Sequence, residues 1–343
     1  MKSTLLALDL AKNVLQLGIF KGSKMTQNRA LSRRQLQAYL VKHEPSVVVM
    51  EACATSHYWG RFARAHGHEV KVLDPRFVKA FRVGQKTDAN DVVAIASASQ
   101  APKVKLGKVL EVEQQALQSI ERLRSLAEKQ KRQLANQIRG LLLEFGFSIA
   151  QGEASFKNAI EAYLEDADNG LPDSFRQALH LQYQLYLSTD EHKTLLDQKL
   201  NNLVKKNEQC SRLMKLEGVG PVTALGLWLH LINVDNYKNG RHASACAGVT
   251  PQQHSSGGKV RIGHVRKRPD EMQLRCHLFL GARAVVSKLK NREAKTHKEK
   301  WLKALLTRRG TNCAAMALAN KTVRTAYAML KNNADYKLEG ITS

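Results

Sequence analysis

Through the first hundred residues, short apolar runs alternate with stretches in which apolar positions recur every three or four residues. Residues 3–11 (Ser-Thr-Leu-Leu-Ala-Leu-Asp-Leu-Ala) and 13–20 read as a strand hairpin with Lys12-Asn13 at its turn. Residues 32–43 read as a helix, 46–51 as a strand and 57–66 as a helix. Residues 69–73 read as a short strand closed by Asp74-Pro75, and 92–100 as a helix. Strands separated by helices in this order predict an α/β domain, a sheet covered by helices, over residues 1–110.

From Val112 the period changes. Between 113 and 145, Leu117, Ile120, Leu123, Leu126, Leu134, Ile138, Leu141 and Leu142 fall mostly three or four apart among Glu, Lys, Arg and Gln. This is a long amphipathic helix. A second runs over 174–207, with a small helix near 154–166 between them and breaks at Gly146 and Gly170-Leu171-Pro172. Two long antiparallel helices leave apolar surface over. Residues 111–210 therefore read as a helical hairpin, either a coiled-coil dimerisation arm or one packed within the monomer. Residues 211–343 form a mainly α third part. It opens with Leu216-Glu217-Gly218-Val219-Gly220 between two helical stretches, a helix-hairpin-helix pattern. Gly218 and Gly220 there either offer backbone N–H groups to a phosphate or serve close helix packing.

Charge sharpens this picture. The 343 residues carry 54 Lys+Arg against 30 Asp+Glu, a net +24. Such an excess predicts a polyanionic partner, with nucleic acid favoured over a membrane surface. No run of 18 apolar residues is present and the first residues lack a leader pattern, so a cytoplasmic protein without a membrane span is expected. Half of the excess, net +12, lies in 259–309, where 16 Lys+Arg face 4 Asp+Glu. The five cysteines, at 53, 210, 246, 276 and 313, form no Cys-x-x-Cys pair and read as buried, reduced thiols.

Two constellations carry candidate chemistry. Asp9 lies within the first apolar run, Glu51 ends Val47-Val48-Val49-Met50-Glu51, and Asp88 and Asp91 enter the helix that follows. A carboxylate in a buried strand is costly unless compensated, and the i, i+3 spacing puts Asp88 and Asp91 on one helical face. Four such oxygen donors suit Mg²⁺ or Mn²⁺. Taken singly, an Asp in a strand is more often hydrogen-bonded structure than catalysis, and Asp88 and Asp91 alone would simply cap a helix. The second constellation is His254-Ser255-Ser256-Gly257-Gly258-Lys259, read as a glycine-flanked loop able to expose a hydroxyl. Arg261, His264, Arg266, Lys267 and Arg268 follow it. Beside an exposed serine these cations are candidates to clamp a phosphate; alone they would be an ordinary turn and a solvated face.

Taken in order, Leu8-Asp9-Leu10-Ala11-Lys12, Met50-Glu51-Ala52-Cys53, Lys86-Thr87-Asp88-Ala89-Asn90-Asp91, Leu216-Glu217-Gly218-Val219-Gly220 and His254-Ser255-Ser256-Gly257-Gly258-Lys259 resemble a known set. They are similar to the insertion-sequence transposases that join a DEDD-type, ribonuclease-H/RuvC-like domain to a serine-bearing C-terminal transposase domain. That family includes the RNA-guided bridge recombinases and the Piv-like DNA invertases. Ala135-Asn136-Gln137-Ile138-Arg139-Gly140-Leu141-Leu142 and Asn169-Gly170-Leu171-Pro172 resemble the subgroup that inserts into structured target sites.

The resemblance implies that Asp9, Glu51, Asp88 and Asp91 are metal ligands for Mg²⁺ (or Mn²⁺) and that Ser256, with Ser255 beside it, is the nucleophile. It also implies strand exchange through a phosphoserine, with DNA (element ends and target) and a noncoding guide RNA as partners. A homodimer or homotetramer in the bacterial cytoplasm, nucleoid-associated when active, is expected. Lys259, Arg261, Arg266, Lys267 and Arg268, with Gly218 and Gly220, are the expected nucleic-acid contacts. The competing readings are a metal-dependent nuclease or junction resolvase without a covalent step, a protein-directed invertase, and a non-catalytic nucleic-acid-binding protein.

Overall fold

The computed structural model describes residues 4–102, 104, 106–265 and 272–337, which divide between two units, Met1–Gln115 and Ala116–Ser343. The first unit is built on five strands, β1 (Leu5–Leu10), β2 (Val14–Lys21), β3 (Lys24–Ser32), β4 (Val47–Glu51) and β5 (Glu69–Leu73). Their order is β3-β2-β1-β4-β5, antiparallel among the first three and parallel from β1 through β4 to β5. The helices are α1 (Arg33–Lys42), α2 (Ser56–Ala65), α3 (Pro75–Ala80) and α4 (Asp88–Gln100).

Alternation along each strand divides the core into two layers. Leu6, Leu8, Leu15, Leu17, Val48 and Met50 meet Leu36 and Leu40 of α1 and Trp59 and Ala63 of α2 on one face. Ala7, Phe20, Val49 and Leu73 meet Val78 of α3 and Val92 and Ile95 of α4 on the other. Burial on both faces is why β1 and β4 read as nearly continuous apolar runs. At Gly18 the sheet leaves no room beneath α4: an added Cβ would lie 2.2 Å from Val92 Cγ1 and 2.9 Å from Phe20 Cε2.

Two elements of this unit escape the sequence pattern. β3 is mostly exposed and polar, and it is held by pairing with β2 rather than by burial, with the Thr26 hydroxyl donating to the Ile19 carbonyl at 3.0 Å. α3 begins at Asp74-Pro75, where the turn signal hides a capped helix start: Asp74 accepts from the Arg76 N–H at 3.0 Å.

The second unit takes in all but the first four residues of α5 (Val112–Glu144), which runs opposite to α7 (Asp173–Lys206) and is joined to it through α6 (Glu153–Glu165). Arg124 pairs with Asp197 and Lys131 with Asp190, each at 2.5 Å, while Gln182 donates to Gln137 at 3.0 Å. Ile138 and Leu142, Phe156 and Ile160, and Leu179, Tyr183 and Tyr186 form one core from the three helices. Leu123, Leu126, Leu185, Leu195 and Leu203 stay exposed. Asp190 ties the three helices together, because it accepts from Lys131 of α5 and from Lys157 of α6 at 2.6 Å. Burial opposes its ionisation, but the two ammonium groups prevail and hold its carboxyl at about 2.

Beyond the arm come α8 (Glu208–Leu213), α9 (Pro221–His230), α10 (Gly240–Cys246), the strand pair β6 (Gln253–Ser256) and β7 (Lys259–Ile262), then α11 (Met272–Lys290), α12 (His297–Arg309) and α13 (Thr311–Lys331). α13 is the centre of this part. Its Ala314, Ala315, Ala319 and Ala326 are fully buried, and short side chains let α10, α11 and α12 pack against it. Only Cys210 and Cys246 are buried. Cys53, Cys276 and Cys313 are exposed, against expectation, since Cys53 follows the end of β4 and the other two border an open cavity. Among the described residues, no helix is long and apolar enough to cross a membrane.

Candidate functional site

Asp9 is the next-to-last residue of β1, and Glu51 is the last of β4. The two strands are parallel with Leu8 opposite Met50, so Asp9 and Glu51 come abreast. Alternation places both on the face that holds Ala7 and Val49, the face covered by α4. Asp88 and Asp91 occupy the first turn of that helix. They are not its cap, because Thr87 takes that place by accepting from the Asn90 N–H at 3.3 Å.

Asp9 and Glu51 feel the neighbouring carboxylates. Burial and the charges of Asp91 and Asp88 push the Asp9 carboxyl up. Burial and the charges of Asp9 and Asp91 do the same to Glu51, with Arg82 and Lys86 opposing. Arg82 Nε lies 2.6 Å from Asp91 Oδ1, and both atoms are buried, yet neither makes an aligned hydrogen bond. The contact is Coulombic only, and the Asp91 oxygen retains hydrogen-bonding capacity that is not satisfied. Among the described residues, no three His, Cys, Asp or Glu side chains close to coordination distance around a single point. The donor set nevertheless fits a divalent cation. It is all oxygen, its repulsion is of the kind a cation relieves, and one buried carboxylate oxygen lacks a hydrogen bond.

The serine segment differs from the expected loop: it is a β-hairpin. Ser256 pairs with Lys259, Ser255 with Val260, His254 with Arg261 and Gln253 with Ile262. The Gly257-Gly258 turn has φ of 54° and 75°, the left-handed pair that a two-residue hairpin turn requires. Backbone bonds between Gln252 and Gly263 (2.7 Å) and Gln252 and His264 (3.2 Å) continue the ladder at its base. Directly paired residues share a face. Ser256 therefore stands with Lys259, His254 and Arg261. Ser255 faces the other way with Val260 and Ile262, and its hydroxyl accepts from Gln253 at 3.0 Å. All eight strand residues are exposed. Arg266, Lys267 and Arg268 lie outside the described residues.

Between α8 and α9 the two glycines separate. A Cβ on Gly218 (φ 75°) would fall 2.6 Å from the Gly281 carbonyl oxygen of α11, so this glycine is required for close packing. Gly220 is exposed at the start of α9 with open space where a Cβ would be. Glu217 anchors the turn, accepting from Lys298 at 2.5 Å and from the Tyr336 hydroxyl at 2.8 Å.

Residues 8–147 match a family model described as a transposase, of the DEDD type. Residues 210–299 match the transposase family IS116/IS110/IS902. A probable family 20 transposase of Pseudomonas aeruginosa is 34% identical over 334 residues, 97% of this chain and 98% of that protein. The chain belongs to this transposase family. A second member, the transposase of insertion sequence element IS1111A from Coxiella burnetii, is 34% identical over 97% of the chain and 91% of its own length. The chain is also similar to a pilin gene-inverting protein of Moraxella bovis, 22% identical over 82% of the chain and 83% of that protein. Beyond the family's sequence motifs, the geometry adds one group that spacing did not single out. Arg82, the ion partner of Asp91, precedes Lys86-Thr87-Asp88 by four residues and carries no pattern of its own. His254, already part of the serine motif, is set on the Ser256 face by strand pairing.

Proposed function

We propose that this transposase cuts and rejoins DNA strands through a covalent link to Ser256. The observation that carries this reading is the hairpin face, which sets Ser256 beside Lys259, His254 and Arg261 and turns Ser255 away. In the covalent step the Ser256 Oγ–P bond forms and the P–O bond to one strand end breaks. The serine proton passes to a base and the released end takes one up, and the reverse step joins a new end. Lys259 and Arg261 hold the negative phosphate against the serine, and their attraction to it strengthens as charge develops on its oxygens. The serine needs activation near neutral pH.

Asp9, Glu51, Asp88 and Asp91 would hold Mg²⁺ or Mn²⁺, which when bound supplies charge neutralisation at the phosphoryl oxygens. We read residues 1–110 as the RuvC-like catalytic domain, 111–210 as a coiled-coil arm and 211–343 as the transposase domain. The leucines left exposed on α5 and α7 support association through the arm, as a homodimer or homotetramer. Element ends and target DNA are the substrates. A noncoding RNA pairing with both would choose them, and the +24 charge supports holding several polyanionic strands at once. The Moraxella relative, named for inverting a gene, favours a second reading in which the protein acts as a DNA invertase.

The test is adduct trapping on a denaturing gel with protein, co-expressed RNA, labelled element-end DNA and Mg²⁺. A protein–DNA adduct lost in Ser256→Ala and Asp9→Asn but kept in Ser255→Ala is expected. Cleavage without an adduct, indifferent to both serines, would instead identify a hydrolytic nuclease.

A further inference from the structure

In the second unit, the base of the serine hairpin borders an open cavity of about 1550 Å³. That exceeds the roughly 300–1,000 Å³ of small-molecule clefts. Its charged walls have one sign. Arg241 of α10, Arg275 of α11, and Lys321 and Arg324 of α13 line it, and no carboxylate does so among the described residues. Three aromatic rings share these walls, Phe279 of α11, Trp301 of α12 and Tyr327 of α13, and Tyr327 is buried. Trp301 is 38% exposed, unusual for an indole, and the Lys321 ammonium sits 4.8 Å from its ring centroid. An aromatic platform within a cationic groove is the chemistry that captures unstacked bases: the ring takes a base of any identity, and the cations take the flanking phosphates. A folded acidic protein surface would match the charge but leave the indole without a purpose.

We propose that this cavity binds an unpaired nucleotide of the DNA strand engaged by the serine hairpin, with its base on Trp301 and its phosphates on Arg241 and Arg324. The choice of DNA rests on the function proposed above and on position. Gly263 and His264, at the foot of the hairpin, line the same cavity. From Gly263 back to Lys259 the strand covers about 13 Å at ~3.3 Å per residue. That is about four steps of a stacked strand at ~3.4 Å each. The captured nucleotide therefore lies about four positions or more from the phosphate beside Ser256, and holding it open would keep that strand from re-pairing.

The test uses the full-length protein in EDTA, so that no chemistry occurs, and fluorescence anisotropy with three probes: a blunt duplex, the same duplex with a short single-stranded DNA tail, and a single-stranded RNA. Trp301→Ala should weaken binding of the tailed duplex by about tenfold, the effect of losing one stacked base. Blunt-duplex affinity should be unchanged and Trp301→Phe should restore tailed binding. Arg324→Gln should reduce the slope of log affinity against log salt by about one. Equal losses on blunt and tailed DNA, no loss on either, or a Trp301 dependence seen with RNA alone would each overturn the proposal. Because binding is read without cleavage, failure of the Ser256 adduct leaves this result standing, and failure here leaves the adduct standing.

Discussion

Replacing both turn glycines of the serine hairpin, Gly257→Ala with Gly258→Ala, isolates the hairpin from the rest of the molecule. Both residues have positive φ, 54° and 75°. A left-handed conformation costs a residue with a side chain roughly 1–2 kcal/mol, so the pair costs about 2–4 kcal/mol in the folded hairpin. At ~1.4 kcal/mol per factor of ten, that is a shift of about 30-fold to 1,000-fold toward the opened form. Little opposes it, since all eight strand residues are exposed and a lone two-stranded ribbon is marginal in water. The opened form should dominate while the thermal midpoint of the protein stays put. Limited trypsin digestion would then cut after Lys259 and Arg261 far faster than in the parent, and adduct formation at Ser256 should fall in parallel. Gly257→Asn is the control: asparagine accepts the left-handed conformation, and Asn-Gly is a favoured two-residue turn, so it should keep both properties. A double-alanine protein with parental trypsin resistance and parental adduct yield would refute the reasoning, because the serine would then not depend on its strand register.

Asp9→Asn removes a half-buried carboxylate that Asp88 and Asp91 repel. The metal-free protein should melt at a higher temperature than the parent, and the rise in melting temperature on adding Mn²⁺ should disappear; a destabilised variant that still responds to Mn²⁺ would contradict the cluster. Asp190→Asn breaks the tie between α5, α6 and α7. The carboxyl falls from 3.8 to about 2, and Asp190 is 16% exposed, so at ~1.36 kcal/mol per unit the loss is about 2 kcal/mol. In a unit of this size that is a fall of about 4–8 °C by calorimetry near neutral pH. Because the folded carboxyl is depressed, its contribution is complete above the unfolded value and fades as pH falls toward about 2. The two proteins should therefore converge in acid, and a gap that persists there would disprove the assignment.

Much of this was legible in the sequence because burial on both faces writes its own pattern. β1 and β4 announce themselves as apolar runs, and a carboxylate inside or at the end of such a run is conspicuous. The long periods of α5 and α7 were equally plain. What stayed hidden depends on pairing rather than on burial. β3 is a polar strand recognisable only beside β2. The serine segment is fully exposed, so no apolar alternation marks it as a hairpin, although its Gly-Gly pair was the available signal. Partnership across space is invisible as well. Arg82 meets Asp91 nine residues away without a motif, and the apposition of Gly218 with Gly281 joins segments 63 residues apart. The cysteines misled because small thiols usually go inside, whereas Cys276 and Cys313 border a cavity that only the packing of α10 to α13 creates.

The missing side chain at position 18 has a consequence for reading inactive variants. α4 rests on β2 there with no spacer, and its Val92 follows Asp91 directly. A methyl group at that point would lever the helix off the sheet and carry two of the four carboxylates away from the other two. A screen for lost transposition would thus score Gly18 beside Asp9 and Glu51, although it offers no chemistry to DNA or to an ion. Its contribution is a distance, and the signature of its loss would be weakened cation affinity in a protein that still holds all four proposed ligands.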